Sequence, residues 1–266
     1  MPFDCPLPVR SLSREEFEER DRVVMQCAYA SQNTLSRLCD ERVYENDVAA
    51  RLRAAGLNDI HTQVPLTVSH RDFAKTYRLD LVANGALYEL KTVGELTGEH
   101  EAQLLNYMLL LEIHRAKLLN FRTPKVQGAL HATPLDHAKR RAFNIDVSRW
   151  NEHSGGCRRL LDTMKDLLSD WGAFLSVRLY EEALVHFSGG ENCVRREIPL
   201  TRDGCALGVH RLSVHTADFA FVVTAFATDA STHESHLRRL LAHTPLKGIQ
   251  WINLAHANLQ FVTITR

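Results

Sequence analysis

The dipeptide Asn84-Gly85 constrains this chain more than any other feature. Asn-Gly is the commonest two-residue hairpin turn, and here apolar, β-prone runs flank it on both sides. Residues 77–83 read as the outgoing strand and residues 86–93 as the returning one. Alternate residues of a strand share a face, so Glu89 and Lys91 project together while Tyr88, Leu90 and Thr92 face the other way. Asp80, on the outgoing strand, brings a second carboxylate to the same end of the hairpin. Taken singly, these residues have plain readings. An E-x-K on an exposed strand is ordinarily a solvated charge pair, and a lone Asp near a turn is ordinarily a surface residue. Together they make a different object. Carboxylate oxygens are the hard ligands that Mg²⁺ or Mn²⁺ prefers, and a lysine beside such an ion can hold or deprotonate an attacking water. This is equipment for metal-assisted phosphodiester hydrolysis.

The surrounding residues place the hairpin in an alternation of helices and strands. Ser13-Arg14-Glu15-Glu16 is a capping box that opens a helix running to about Ala30. A second helix spans Glu41 to Ala55 and ends at Gly56, with Asp40 as its N-cap. Val64 to Val68 reads as a strand whose proline, Pro65, suits an edge or the start of a strand. A helix from about Gly98 to His114 follows the hairpin, and Ala116 to Phe121 is a short buried strand. From Arg122 to Gly156 turn formers mix with the basic cluster Lys139-Arg140-Arg141, which reads as solvated surface in preference to a nucleic-acid contact.

Asp80, eight residues, then Glu89-Leu90-Lys91 resembles the D-x(n)-E-x-K signature of the PD-(D/E)XK nuclease superfamily. Leu96-Thr97, His100 and the run Ala102 to Tyr107 resemble the segment after the E-x-K strand in its GxxExxY branch. Gln103 and Tyr107 also match the Q-x-x-x-Y element of RecB-type nucleases. Glu41 to Tyr44 matches the E-x-x-Y of the branch, with Leu38 standing where its glycine belongs. The resemblance covers residues 15–130 and implies an α/β fold with a restriction-endonuclease-like αβββαβ core, the strand at 116–121 lying parallel within the sheet. It implies Mg²⁺ or Mn²⁺ as cofactor, with Asp80, Glu89 and the Leu90 carbonyl as metal ligands and Glu41 as an outer or additional one. Lys91 would position water and stabilise charge, and Gln103 and Tyr107 would orient the site or touch the phosphate backbone. The implied activity is a metal-dependent nuclease acting on DNA in preference to RNA, on single-stranded or branched substrates. The alternative is a nucleic-acid-binding or assembly protein that keeps the fold without turnover.

The second half reads as a worn copy of the first. At a constant offset of 133 residues, Tyr77 to Phe121 falls on His210 to Leu254 with the same hydrophobic pattern, and shifted offsets bring Tyr44-Glu45 onto Tyr180-Glu181 and Pro65-Leu66 onto Pro199-Leu200. Ser213 stands for Asp80, Val222 for Glu89, Thr224 for Lys91 and His236 for Gln103, so no catalytic Mg²⁺ is expected there. The expected organisation is a nuclease-like domain at 1–130, a linker at 131–155 and a degenerate pseudo-nuclease domain at 156–266. With one live centre per chain, cutting both strands together would need a homodimer. His233, His236 and His243 read as surface or interface residues, since no cysteine or acid completes a metal set. Formal net charge is zero, so nucleic acid must be met by a local basic patch and not by a global field. Six scattered cysteines without a C-x-x-C pair read as reduced thiols, and neither a targeting segment nor a membrane span is legible, which suits a cytoplasmic protein.

Overall fold

A computed structural model describes residues 3–266, and the chain divides into two compact units, the first ending at His137 and the second running Ala138–Arg266. The first unit contains β1 (Phe3–Asp4), α1 (Arg14–Leu35), α2 (Glu41–Ala54), β2 (Ile60–His70), β3 (Phe73–Ala83), β4 (Ala86–Lys91), α3 (Gly98–Leu111), β5 (Arg115–Asn120) and β6 (Gln127–Ala132). These strands form one sheet in the order β1-β2-β3-β4-β5-β6, antiparallel throughout except for the parallel β4–β5 pair. Helix, three strands, helix, parallel strand is the αβββαβ core that the resemblance implies. The turn joining β3 to β4 is left-handed at Asn84 (φ 46°) and Gly85 (φ 81°), which is what a type I′ hairpin requires.

Local chemistry accounts for the helix starts. Ser13 Oγ accepts from the Glu16 amide at 3.1 Å and Glu16 Oε2 accepts from the Ser13 amide at 2.8 Å, the reciprocal capping box. α1 runs on to Leu35, five residues past the expected end. Its last turns carry Ser31 and Gln32, polar residues that look like surface but are buried; the Gln32 amide donates to the Phe121 and Thr123 carbonyls at 2.8 and 2.9 Å. α2 stops where Gly56 takes φ 91°. The turn before α2 puts its left-handed residue at Ser36 (φ 61°), not at Leu38, so Leu38 in the glycine position imposes no strain. Tyr44 then closes that turn by donating from its hydroxyl to the Ser36 carbonyl at 2.6 Å.

The core of this unit sets the direction of every side chain on the hairpin. Tyr88 and Leu90 pack with Phe17, Val24 and Ala28 of α1 and with Tyr44, Val48 and Leu52 of α2. Tyr44 stacks on Phe121 at 4.5 Å between ring centres, a geometry that contributes about 0.5–1.5 kcal/mol beyond area burial. Strand alternation therefore turns Glu89 and Lys91 away from this core.

The second unit contains most of α4 (His137–Arg141), then β7 (Asn144–Arg149), α5 (Gly155–Trp171), α6 (Val177–Phe187), α7 (Glu191–Val194), β8 (Arg195–Arg202), β9 (Cys205–Val214), β10 (Phe219–Thr224), α8 (Ala230–Ala242), β11 (Gly248–Ala255) and β12 (Asn258–Thr265). Its sheet runs β7-β12-β11-β10-β9-β8, with β10–β11 and β12–β7 parallel and the remaining pairs antiparallel. Strand order and direction from β8 to β12 repeat those from β2 to β6. The stretch 131–155 is thus not a bare linker: β6 ends in it, and β7 pairs with β12. Arg140 departs from the surface reading of the basic run. It is buried, donating to the Trp171 and Ala173 carbonyls, because α5 ends at Trp171 with main-chain acceptors that need donors. The ladder also corrects one aligned pair, since Pro65 faces Arg78 while the corresponding Arg211 faces Glu197 and not Pro199. A shared proline carries no register information by itself. Among the described residues no helix is long and apolar enough to cross a membrane, and all six cysteines are free.

Candidate active site

Asp80 and Glu89 meet where β3 and β4 part. The β3–β4 ladder covers Leu81–Tyr88, Val82–Leu87 and Ala83–Ala86 and stops there. Beyond it the Leu90 amide has no main-chain partner on β3 and donates instead to Asp80 Oδ2 at 2.8 Å. A residue's amide and carbonyl leave a strand on the same side, so the Leu90 carbonyl opens toward the same wedge. Lys91 Nζ donates to Glu89 Oε1 at 2.7 Å. Asp80, Glu89 and Lys91 are only 6, 1 and 9% exposed.

Electrostatics set this group apart from an ordinary ion pair. Burial, then the neighbouring Asp80 charge, pushes Glu89 up to about 8, and burial raises Asp80 as well. Burial works against the Lys91 ammonium, but Glu89, Glu41 and Asp80 outweigh it and leave its pKa raised. One lysine thus serves two crowded carboxylates, and Glu89 Oε2 is buried without a hydrogen-bond partner. An orphaned carboxylate oxygen costs free energy unless a cation or donor meets it, so the donor set fits a divalent metal.

Glu41 opens α2 at the rim of this group. It is half-buried, which raises its pKa, and it feels Lys91, Asp80 and Glu45 electrostatically. No three His, Cys, Asp or Glu side chains among the described residues converge closely enough to hold a metal ion by themselves, so Glu41 as placed does not complete a ligand set with Asp80 and Glu89. On α3, Gln103 Nε2 donates to the Tyr107 hydroxyl at 2.8 Å, and the Tyr107 ring meets Tyr77 edge-on at 5.5 Å. Burial, then the Glu89 charge, holds the Tyr107 hydroxyl above its ordinary range, which places it beside the carboxylates and keeps it protonated. His100, one of the residues carrying the resemblance, caps α3 by accepting from the Thr97 amide at Nδ1, 3.0 Å away.

Three nearby residues escape sequence reasoning. Glu45 is 1% exposed and lies one helical turn after Glu41, and that spacing was the available signal. Gln63 donates from one amide nitrogen to Glu45 Oε2 at 2.7 Å and to Asp80 Oδ1 at 3.3 Å; nothing in its neighbourhood announces it. Tyr77 looked like one more aromatic in a β run. Asn120 supports the whole arrangement from β5: fully buried, its side chain accepts from the Val93 and Arg122 amides at 3.2 Å and donates to the Val93 carbonyl at 2.8 Å. Asn120→Ala should cost about 2–4 kcal/mol by leaving these main-chain groups unmet, read as a lower midpoint in urea unfolding; an unchanged midpoint would remove this supporting role.

Residues 18–131 match the family model of the PD-(D/E)XK nuclease superfamily, which supports placing the first unit's core in that superfamily. No curated protein and no solved structure matches the chain.

Several side-chain contacts of the second unit resemble those around this site. Tyr180 donates to the Gly172 carbonyl as Tyr44 does to Ser36, and Gly172 has the same left-handed φ (78°). Asn253 accepts from the Phe226 amide at 2.8 Å and donates to the Phe226 carbonyl at 3.0 Å, as Asn120 does with Val93. Val222 pairs with Trp251 as Glu89 pairs with Leu118, the offset of 133 holding across both strands. Thr224, in the place of Lys91, is tied to Asn253 and Trp251 at 2.9 and 2.8 Å. His233, partly buried, packs its ring 4.6 Å from Phe226 and 5.5 Å from Trp251.

Proposed function

We propose that the first unit is a metal-dependent nuclease that hydrolyses DNA phosphodiester bonds, and that the second is a duplicated copy that has lost the chemistry. The observation that carries the first part is the buried, unpartnered Glu89 Oε2 beside Asp80 and Lys91 in the β3–β4 wedge. Asp80, Glu89 and the Leu90 carbonyl would hold Mg²⁺ or Mn²⁺, with Glu41 in the outer shell. Such an ion supplies Lewis-acid polarisation of the phosphate and a more acidic bound water. Lys91, an ammonium at neutral pH, donates hydrogen bonds to the attacking water and to phosphate oxygens and stabilises the charge that develops there. It is a donor and not a base. Gln103 holds the Tyr107 hydroxyl in place, and Tyr107, Tyr77 and Lys75, whose ammonium lies 5.0 Å from the Tyr77 ring centre, offer a base or phosphate a face beside the site.

Duplication is supported by the repeated strand order, the register offset of 133 shared by the β4–β5 and β10–β11 pairs and the two repeated side-chain staples. One live centre per chain means that a monomer nicks or trims one strand, and that a paired cut requires two chains or two events.

The deciding experiment incubates the full chain with labelled single-stranded DNA, double-stranded DNA and RNA, in Mg²⁺, in Mn²⁺ and in chelator, alongside Glu89→Ala. Cleavage that requires both metal and Glu89 is the expected result, with DNA cut faster than RNA. Nucleic-acid binding without cleavage under any metal would move the protein into the non-catalytic class that its zero net charge also suits.

A further inference from the structure

Each unit carries a triangle of side chains on equivalent elements, in which the bridging residue is the neutral Gln63 in the first and the cationic Arg195 in the second, and the Asp80 carboxylate gives way to the Ser213 hydroxyl. In the first, Gln63 bridges Glu45 (2.7 Å) and Asp80 (3.3 Å). In the second, Arg195 Nη1 bridges Glu181 Oε1 (2.8 Å) and Ser213 Oγ (2.6 Å). Glu45 and Glu181 each follow the tyrosine that closes the turn before their helix. Gln63 occupies the one gap in the β2–β3 ladder, opposite Asp80, just as Arg195 pairs with Ser213. The β9–β10 register is slipped by one, with Ser213 facing Phe221 where Leu81 faces Tyr88, so the equivalence of Ser213 to Asp80 rests on these shared partners and not on that ladder.

We infer that Gln63 is a positioning residue that keeps the first site open to a metal cation, and that Arg195 is the replacement that closes the second. The inference rests on the metal reading given above. Asp80 and Glu89 can bind a cation only if their charge is left for it. A neutral amide braces Asp80 from Glu45 by hydrogen bonds and adds no charge. A guanidinium in the same place is a permanent cation within hydrogen-bonding distance of the Asp80 position, and it would spend that charge internally. The backbone shows that the shorter residue is used in spite of its cost. Gln63 sits at φ 53°, left-handed for a residue that is neither Gly nor Asn, which aims its short arm at Asp80, whereas the longer Arg195 reaches its partners from an ordinary extended backbone (φ −80°). In the second unit the partly exposed Arg195–Glu181 ion pair at 2.8 Å takes up that charge, which leaves no use for a metal there.

The test is Mn²⁺ binding by the full chain, followed by electron paramagnetic resonance of the free ion, for the wild type, Gln63→Arg, Gln63→Lys, Gln63→Met and Glu89→Ala. Circular dichroism checks that each variant is folded. Wild type should take up one Mn²⁺ per chain. Gln63→Arg and Gln63→Lys should bind roughly 100-fold more weakly, the effect of one added charge near the ligands, while Gln63→Met, which loses the brace but adds no charge, should stay within about tenfold of wild type. Two results would overturn the inference: a charged variant that binds like wild type, or a methionine variant as weak as the charged ones, which would make Gln63 merely structural. Wild type without Mn²⁺ uptake, or Glu89→Ala binding like wild type, would instead overturn the metal reading, and the role of Gln63 would fall with it.

Discussion

Asp80→Asn is expected to lower metal-dependent cleavage by about three orders of magnitude while making the metal-free protein more stable. The first effect follows from losing a charged ligand at the reacting centre. The second follows from the crowding that surrounds it. Asp80 stands beside Glu89, and after burial its charge is the main cause that raises the cost of ionising Glu89. An asparagine oxygen can still accept from the Leu90 amide, the bond that now measures 2.8 Å, so the wedge between β3 and β4 keeps its shape. Asp80→Ala loses the same activity but leaves the buried Leu90 amide unmet, at a cost of about 1–3 kcal/mol. Lys91→Ala should also abolish cleavage, and it leaves Glu89 without its 2.7 Å partner. Initial rates on labelled DNA, read beside thermal midpoints in chelator, separate the two effects. A fully active Asp80→Asn or Lys91→Ala would rule out the assigned site, and a less stable Asp80→Asn would show that the carboxylates do not repel.

Metal affinity should rise about tenfold per pH unit between pH 6 and pH 8 and level off above that. Glu89, pushed up to about 8 by burial and by Asp80, holds a proton that an incoming ion must displace. The stability of the metal-free protein has the opposite sign. The unfolded chain releases this proton near the ordinary carboxylate value of 4.5, while the folded protein keeps it until about 8. Across that window the folded state binds more protons than the unfolded one, so stability contributed by this group falls as pH rises. Added Mn²⁺ should offset the loss most at the alkaline end. Mn²⁺ titrations at several pH values, and thermal midpoints with and without the ion, test both signs. An affinity that stays flat from pH 6 to 8 would mean that Glu89 is already ionised in the free protein. Glu89→Gln should remove the alkaline loss of stability.

Much of this was legible in the sequence because it rests on short-range rules. Asn84-Gly85 dictates a left-handed two-residue turn, Ser13 and Glu16 dictate a helix start, and strand alternation alone puts Glu89 and Lys91 on one face. The hydrophobic pattern repeats at an offset of 133 residues, and the β4–β5 and β10–β11 registers carry the same offset. Other features depend on partners far away in the chain. Arg140 looked like part of a solvated basic run, but the end of α5 offered carbonyls that buried it. Gln32 lies past the expected helix end at Ala30 and is buried because its amide meets the Phe121 carbonyl at a strand end far along the chain. Gln63 carries no local signature, and Glu45 carries only its spacing of one helical turn from Glu41. Their meeting with Asp80 is made by a gap in a strand ladder and the packing of α2, and neither can be read along one dimension. The sequence by itself therefore determined the elements, their order and the chemistry of the hairpin, because turns, caps and alternation act within a few residues. Only the tertiary structure decided which charges are buried, which are braced and which carboxylate oxygen is left unpartnered, because burial and hydrogen-bond geometry belong to residues that meet only when the chain has folded.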